Sequence, residues 1–147
     1  MPLIQAALTD PDYGFDISDA GGHTLRMDIP VDQGGGGTGF RPMQTLLAAL
    51  CGCSGVDVVS ILKKQRQPLT GLEMQVDGER GQGGDIALWE RVDIRFAITG
   101  DVDPSKALRA VDLSIGKYCS VAETLRRAGA EITWQVTVNG VAVERER

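Results

Sequence analysis

The chain has 147 residues and a formal net charge of −5 at pH 7, from 15 Lys and Arg against 20 Asp and Glu. Its length suits one domain over residues 1–147, and a hydrophobic fraction of 42% is enough to fill a core, which excludes a disordered tail. The negative charge argues against nucleic-acid binding, and a single histidine, His23, excludes a multi-histidine metal site.

The first forty residues predict two strands and a glycine-rich loop. Alternating residues favour strands at 15–18 and 24–29, joined by a turn at 19–22. Residues 33–39 contain five glycines and one threonine, so we expect a mobile loop there. A phosphate-binding loop is disfavoured, because no Lys-Ser or Lys-Thr pair follows the glycines and no buried strand precedes them.

A long helix is predicted from Pro42 to about Arg66. Proline fits the first turn of a helix, where its missing N–H has no partner to lose, and Pro68 ends the helix. Asp57 is the only charge up to residue 60, and a helix that is apolar nearly all round is the central, packed helix of its fold. Small residues on it would let another backbone approach closely, namely Gly52, Ser54 and Gly55.

The predicted long helix also bears on where the protein is located and on how the charge of Asp57 is accommodated. Its apolar run at 43–62 is interrupted by polar residues, so we interpret it as a buried helix with no membrane partner. The N-terminal sequence shows no basic segment or cleavage site, so we expect a cytoplasmic protein. Inside such a helix Asp57 needs a partner, because an unpaired buried carboxylate is strongly destabilising. We expect an Arg, a Lys or several hydrogen-bond donors, from this chain or across a dimer.

The second half of the chain predicts an α+β fold. Residues alternate with a period of two in two stretches, each with one buried and one exposed face. The order of elements favours antiparallel strands around a buried helix. The elements expected are strands at 72–77 and 92–99, a helix from Asp103-Pro104 to about Ser114, a break at Gly116, a helix with a capping box at Ser120 and Glu123 that ends near Gly129, and a strand at 132–138.

Three cysteines are the candidate reactive residues. Cys51 and Cys53 lie about 200° apart around one helix, so they cannot form a disulfide together and make a weak metal site. Cys119 precedes the Ser120 cap beside Lys117, and a helix N-terminus and a cation both favour a thiolate. Asp57, one turn beyond Cys53, disfavours a Cys53 thiolate unless a cation or donor is near. From the residues alone, inert buried cysteines and reactive thiols both stay open.

Two sequence blocks resemble the OsmC/Ohr family. The first contains G-F-R-P-M at 39–43 and C-S-G-V-D-V-V-S-I-L-K-K-Q-R at 53–66, and the second contains A-V-D-L-S at 110–114 and K-Y-C-S-V at 117–121. The resemblance extends over about residues 21–137. It is strongest to the OsmC-like branch with C-x-x-x-D-V-V and K-K-x-R.

The resemblance implies an intertwined α+β homodimer, with an antiparallel sheet around a long buried central helix and a site at the subunit interface. It also implies a peroxidase that reduces organic hydroperoxides without a metal or cofactor and protects against oxidative stress. By position, Cys53 matches the cysteine that attacks the peroxide and Cys119 the one that resolves the sulfenic acid into a disulfide. A dithiol, lipoyl-type in Ohr proteins, reopens that disulfide. Cys51 matches no functional position.

The activating residues depart from the family's motif. The family has a glutamate ten residues before the attacking cysteine, paired with an arginine from an N-terminal loop, whereas this chain has Met43 there. Arg26 and Arg41 are the candidates to activate the thiolate. The alternative function is a non-catalytic dimer of this fold that binds a hydrophobic small molecule or senses oxidants.

Overall fold

The computed structural model describes residues 3–146, which fall into two units that divide within the long helix, between Leu46 and Leu47. The first unit is built on an antiparallel sheet in the order β1-β2-β3, with strands β1 (Ile4–Leu8), β2 (Phe15–Asp19) and β3 (Thr24–Met27). Strands β2 and β3 were predicted. Strand β1 was not predicted, because all five of its residues are exposed and no hydrophobic alternation marks it.

The glycine-rich run at 33–39 is hydrogen-bonded to the buried carboxylate of Asp28. Asp28 is only 1% exposed and accepts hydrogen bonds from the Thr38 hydroxyl at 2.7 Å and from the backbone N–H groups of Ile29, Gly36 and Thr38 at 2.7, 3.4 and 3.1 Å. The mobile loop expected from composition is therefore an ordered one. The composition of the loop did not reveal this, because Asp28, whose carboxylate oxygens accept these hydrogen bonds, lies outside the glycine-rich run.

These donors give Asp28 a measurable role at acid pH. The Thr38 hydroxyl, with the backbone donors, lowers the pKa of Asp28 from its ordinary value of 3.8 to about 2. A lowered pKa stabilises the folded state above the ordinary value, and this stabilisation is lost as the pH falls toward about 2. We expect Asp28→Asn to melt at a lower temperature than the wild type at neutral pH, and the difference to shrink on acidification. Asp32→Asn, at an exposed aspartate nearby, is the control, and an unchanged gap at low pH would contradict the assignment.

The long helix α1 (Pro42–Lys64) begins in the first unit and continues into the second. It ends two residues before the predicted Arg66, which has a left-handed backbone with a φ of 56°. The side chains of Leu50, Val58 and Leu62 are fully buried, whereas Val56 on another face is 70% exposed. Within one chain, the helix therefore buries one face, and burial of its outer face against a second copy of the chain stays a prediction.

Helix α1 is also long and apolar enough to cross a membrane by length and composition. From the sequence, its polar residues argued against a membrane span, but they do not exclude one. Core helices of soluble proteins pass the same test. One face of this helix is packed within the chain, because its Gly55 lies against the Met74 side chain of the neighbouring sheet.

The second unit contains a four-stranded sheet in the order β4-β5-β6-β7. Its α+β class was predicted, but the pairing is mixed, because β5 and β6 run parallel where antiparallel strands were expected. Parallel neighbours need a long crossover, and here the crossover contains the helices that follow β5. The inward residues of β5 form the centre of the core. The strands are β4 (Leu69–Arg80), β5 (Trp89–Gly100), β6 (Glu131–Val138) and β7 (Val141–Ala142).

The crossover has three helical segments. Helix α2 (Pro104–Leu113) is capped as predicted by the Asp103 carboxylate, which accepts from two backbone N–H groups. It continues directly into a π-helix (Ser114–Tyr118), so the break predicted at Gly116 does not occur. Helix α3 (Ser120–Arg127) follows, and its N-cap is Cys119, one residue before the predicted cap.

Candidate active site

Cys53 and Cys119 lie side by side in the second unit. Cys53 is half-buried on α1, and Cys119 is 2% exposed at the junction between the π-helix and α3. The Cys53 side chain is close enough to act on the titration of Cys119 through a hydrogen bond and through charge. Both are free thiols. Two adjacent thiols of unequal exposure can form a disulfide in two steps: the more exposed thiol is oxidised first, and the buried thiol then reacts with it.

Cys119 is held by backbone groups at both of its ends. Its Sγ accepts a hydrogen bond from the Ala122 N–H at 3.4 Å, and its own N–H donates to the Ser114 carbonyl at 2.8 Å. The predicted position at a helix N-terminus is therefore correct. The predicted easy thiolate is wrong. Burial raises the pKa of the Cys119 thiol, the Ala122 N–H lowers it by less and the contact with Cys53 raises it, so that the pKa is about 11.

Asp57 has a hydroxyl as its partner. Its Oδ2 accepts a hydrogen bond from the Ser114 Oγ at 2.8 Å, and the same hydroxyl lies 3.4 Å from the Ser54 carbonyl oxygen. Among residues 3–146, this carboxylate forms no salt bridge with the arginine or lysine that the sequence led us to expect. A half-buried carboxylate retains some hydration, so one good donor suffices where a fully buried one would need several.

An arginine holds the π-helix in place. The Arg126 guanidinium on α3 donates to the Ile115 carbonyl oxygen inside the π-helix, and it also pairs with Glu123 at 3.2 Å. Sequence reasoning missed both Arg126 and Ser114 as site residues. Ser114 stood within the A-V-D-L-S block, but nothing in that block signals that the helix widens there.

The two candidate arginines lie in the first unit. Arg26 on β3 forms ion pairs with Asp10 and Asp16, both at 2.9 Å, and donates to the hydroxyls of Thr9 and Thr38. These contacts engage all three guanidinium nitrogens. Arg41 is exposed just before α1. A role for either in activating the thiolate stays a prediction, as does the effect of Met43, which is half-buried in the first turn of α1.

Cys51 faces a groove on another side of α1. The groove has a volume of about 800 Å³ and lies between α1 and β4. Partial burial raises the pKa of the Cys51 thiol. No group of three or more His, Cys, Asp or Glu side chains in the described part of the chain could hold a metal. The groove is lined mainly by small and apolar residues, among them Gly52, Gly55, Val56, Val59, Leu72 and Met74.

Comparison with known proteins identifies the family. The family model described as OsmC-like protein matches residues 34–135. The protein YhfA of Escherichia coli is 40% identical over 113 residues, which are 74% of this chain and 78% of YhfA. A hypothetical protein from Aquifex aeolicus superposes with a TM-score of 0.77 at 28% identity, over 95% of this chain and 98% of that one.

A further solved structure is named for a function. It is an organic hydroperoxide resistance protein OsmC from Legionella pneumophila, with a TM-score of 0.71 and 17% identity over 94% of this chain and 97% of that one. This likeness concerns the fold. The family match covers well over half of the present sequence and includes both Cys53 and Cys119. The chain belongs to the OsmC-like protein family.

Proposed function

We propose that this protein reduces organic hydroperoxides with the cysteine pair Cys53 and Cys119, and so protects the cytoplasm against oxidative stress. The observation that carries the proposal is the contact between a half-buried thiol on α1 and a buried thiol at the cap of α3. Membership of the OsmC-like family supports it, as does the name of the Legionella relative. We propose further that the chain acts as a single domain within a homodimer.

The unequal burial of the two cysteines supports the following order of steps. The Cys53 thiolate attacks the peroxide, the O–O bond breaks, and the alkoxide takes up a proton and leaves as the alcohol, which leaves Cys53 as a sulfenic acid. The Cys119 thiol then condenses with it, so that a disulfide forms and water leaves. A dithiol reductant of the lipoyl type returns both cysteines to thiols and is itself oxidised to a disulfide.

Thiol titration tests this function directly. The reduced protein is expected to lose two of its three thiols per chain on addition of one equivalent of cumene hydroperoxide. The remaining thiol should be Cys51, which lies on another face of α1, and peptide mapping would identify it. Retention of all three thiols after prolonged exposure would contradict the proposal.

The groove beside Cys51 favours a second candidate function. Its apolar lining and its volume of about 800 Å³ are typical of sites for hydrophobic small molecules. The replacement of the family's glutamate by Met43 fits a protein of this fold that binds such a molecule without turnover. The same titration separates the two functions, since a binding protein would keep its thiols while hydrophobic ligands still bound.

A further inference from the structure

Ser114 connects the two elements that carry the cysteine pair. Its hydroxyl donates to Asp57 at 2.8 Å, on the turn of α1 that follows Cys53. Its carbonyl oxygen accepts the Cys119 N–H at 2.8 Å. Ser114 itself is fully buried, which limits the access of water to both bonds. A single residue thus holds the backbone of one cysteine and the helix of the other.

The π-helix makes this double contact possible. In a regular α-helix, the Cys119 N–H would donate to Ile115, four residues earlier. Here it reaches five residues back to Ser114, which leaves the Ile115 carbonyl without its usual partner, and the Arg126 guanidinium takes that place. The Arg126 side chain therefore stabilises the widened turn. Single π-helical turns of this kind are rare and occur frequently at functional sites.

We propose that Ser114, with Asp57 as its partner, positions Cys119 for condensation with the oxidised Cys53. This inference rests on the proposed function. Attack on the peroxide involves Cys53 alone, whereas the disulfide bond requires the two Cα atoms to lie about 4.4–6.8 Å apart with suitable orientation. The bonds of Ser114 act on that separation. Ser114 is thus a positioning residue for the second step and leaves the first unchanged.

Separate measurement of the two steps tests the proposal. In Ser114→Ala, we expect Cys53 sulfenic acid to form at the wild-type rate but the disulfide to form up to about 100-fold more slowly, since a misplacement of about 1 Å can cost that factor. Sulfenic acid that accumulates can be trapped with dimedone even though Cys119 is present. Ser114→Thr keeps the hydroxyl and should restore condensation. Ser120→Ala, at an exposed serine next to Cys119, should behave like the wild type.

Oxidation by diamide distinguishes this inference from the proposed function, because it forms the disulfide without a peroxide. Slower disulfide formation in Ser114→Ala with diamide supports positioning even if the wild type reduces no peroxide. Condensation of Ser114→Ala at the wild-type rate with both oxidants would overturn the inference. If Ser114→Ala does not fold, Asp57→Ala takes its place, because it removes the oxygen that accepts the hydrogen bond of the Ser114 hydroxyl. We expect the disulfide to form more slowly in this variant too, and formation at the wild-type rate would overturn the inference.

Discussion

The Cys53→Ser variant is expected to consume no organic hydroperoxide above the uncatalysed background. The nucleophile in this reaction is a thiolate, and a serine hydroxyl does not replace it at neutral pH. Cys119 cannot substitute, because burial raises the pKa of its thiol to about 11 and leaves it 2% exposed to an incoming peroxide. The residual peroxide can be measured by iodometry in the presence of a dithiol reductant.

The Cys119→Ser variant should behave differently from Cys53→Ser. Cys53 is expected to attack once per site and to stop as a sulfenic acid, since no resolving thiol remains. Dimedone should trap one equivalent per chain, and sustained turnover should be lost. Cys51→Ser is the matched control on the same helix, and we expect it to retain turnover with a change in stability of about 1 kcal/mol.

These variants also test the assignment of roles. If Cys53→Ser kept full turnover, the attacking residue would be wrong, and the binding function would gain support. If Cys119→Ser gave no dimedone adduct while Cys53→Ser did, the two roles would be reversed. That reversal is what the helix N-terminus alone favoured from the sequence. Burial argues against it, because desolvation of the thiolate at Cys119 outweighs the backbone donors of α3.

Local signals predicted much of the fold. The alternation in β4 and β5, the Asp103 cap of α2 and the proline at the start of α1 each act through neighbours in sequence, and each was confirmed. The parallel pairing of β5 with β6 could not be predicted in this way. It depends on how the crossover helices pack, and strand periodicity is the same for both directions of pairing.

The sequence singled out the two cysteines of the candidate site, but not the residues that hold them or the pKa of the Cys119 thiol. The family resemblance singled out Cys53 and Cys119, but the sequence placed the cap of α3 at Ser120 and a helix break at Gly116. Cys119 is the cap because the preceding turn widens into a π-helix, whose Ile115 carbonyl oxygen accepts a hydrogen bond from Arg126, eleven residues later. Asp57 likewise found its partner 57 residues away in Ser114. Contacts between residues so far apart leave no local pattern in the sequence from which they could be predicted.

The exposed face of α1 predicts the subunit interface. A side chain built at Gly52 would meet nothing within 4 Å, and Val56, one turn later, is 70% exposed. An open glycine inside a helix destabilises it by about 1 kcal/mol relative to alanine, and close approach of another backbone is the usual compensation. We infer that a second copy of the chain covers this face, as the family resemblance implies. The groove beside Cys51 shares Gly52 and Val56 with this face, so it would then lie at the subunit interface.

Gly52→Leu is therefore expected to convert a homodimer into a monomer at micromolar concentration, because the leucine side chain would occupy the space that the partner helix needs. Sedimentation or light scattering would show the mass fall by half. Arg109→Leu introduces the same side chain at an exposed position of α2, away from the groove, and should remain dimeric. If the face is instead free in solution, the wild type will already be monomeric. Gly52→Ala would then stabilise the chain by up to about 1 kcal/mol through helix propensity alone.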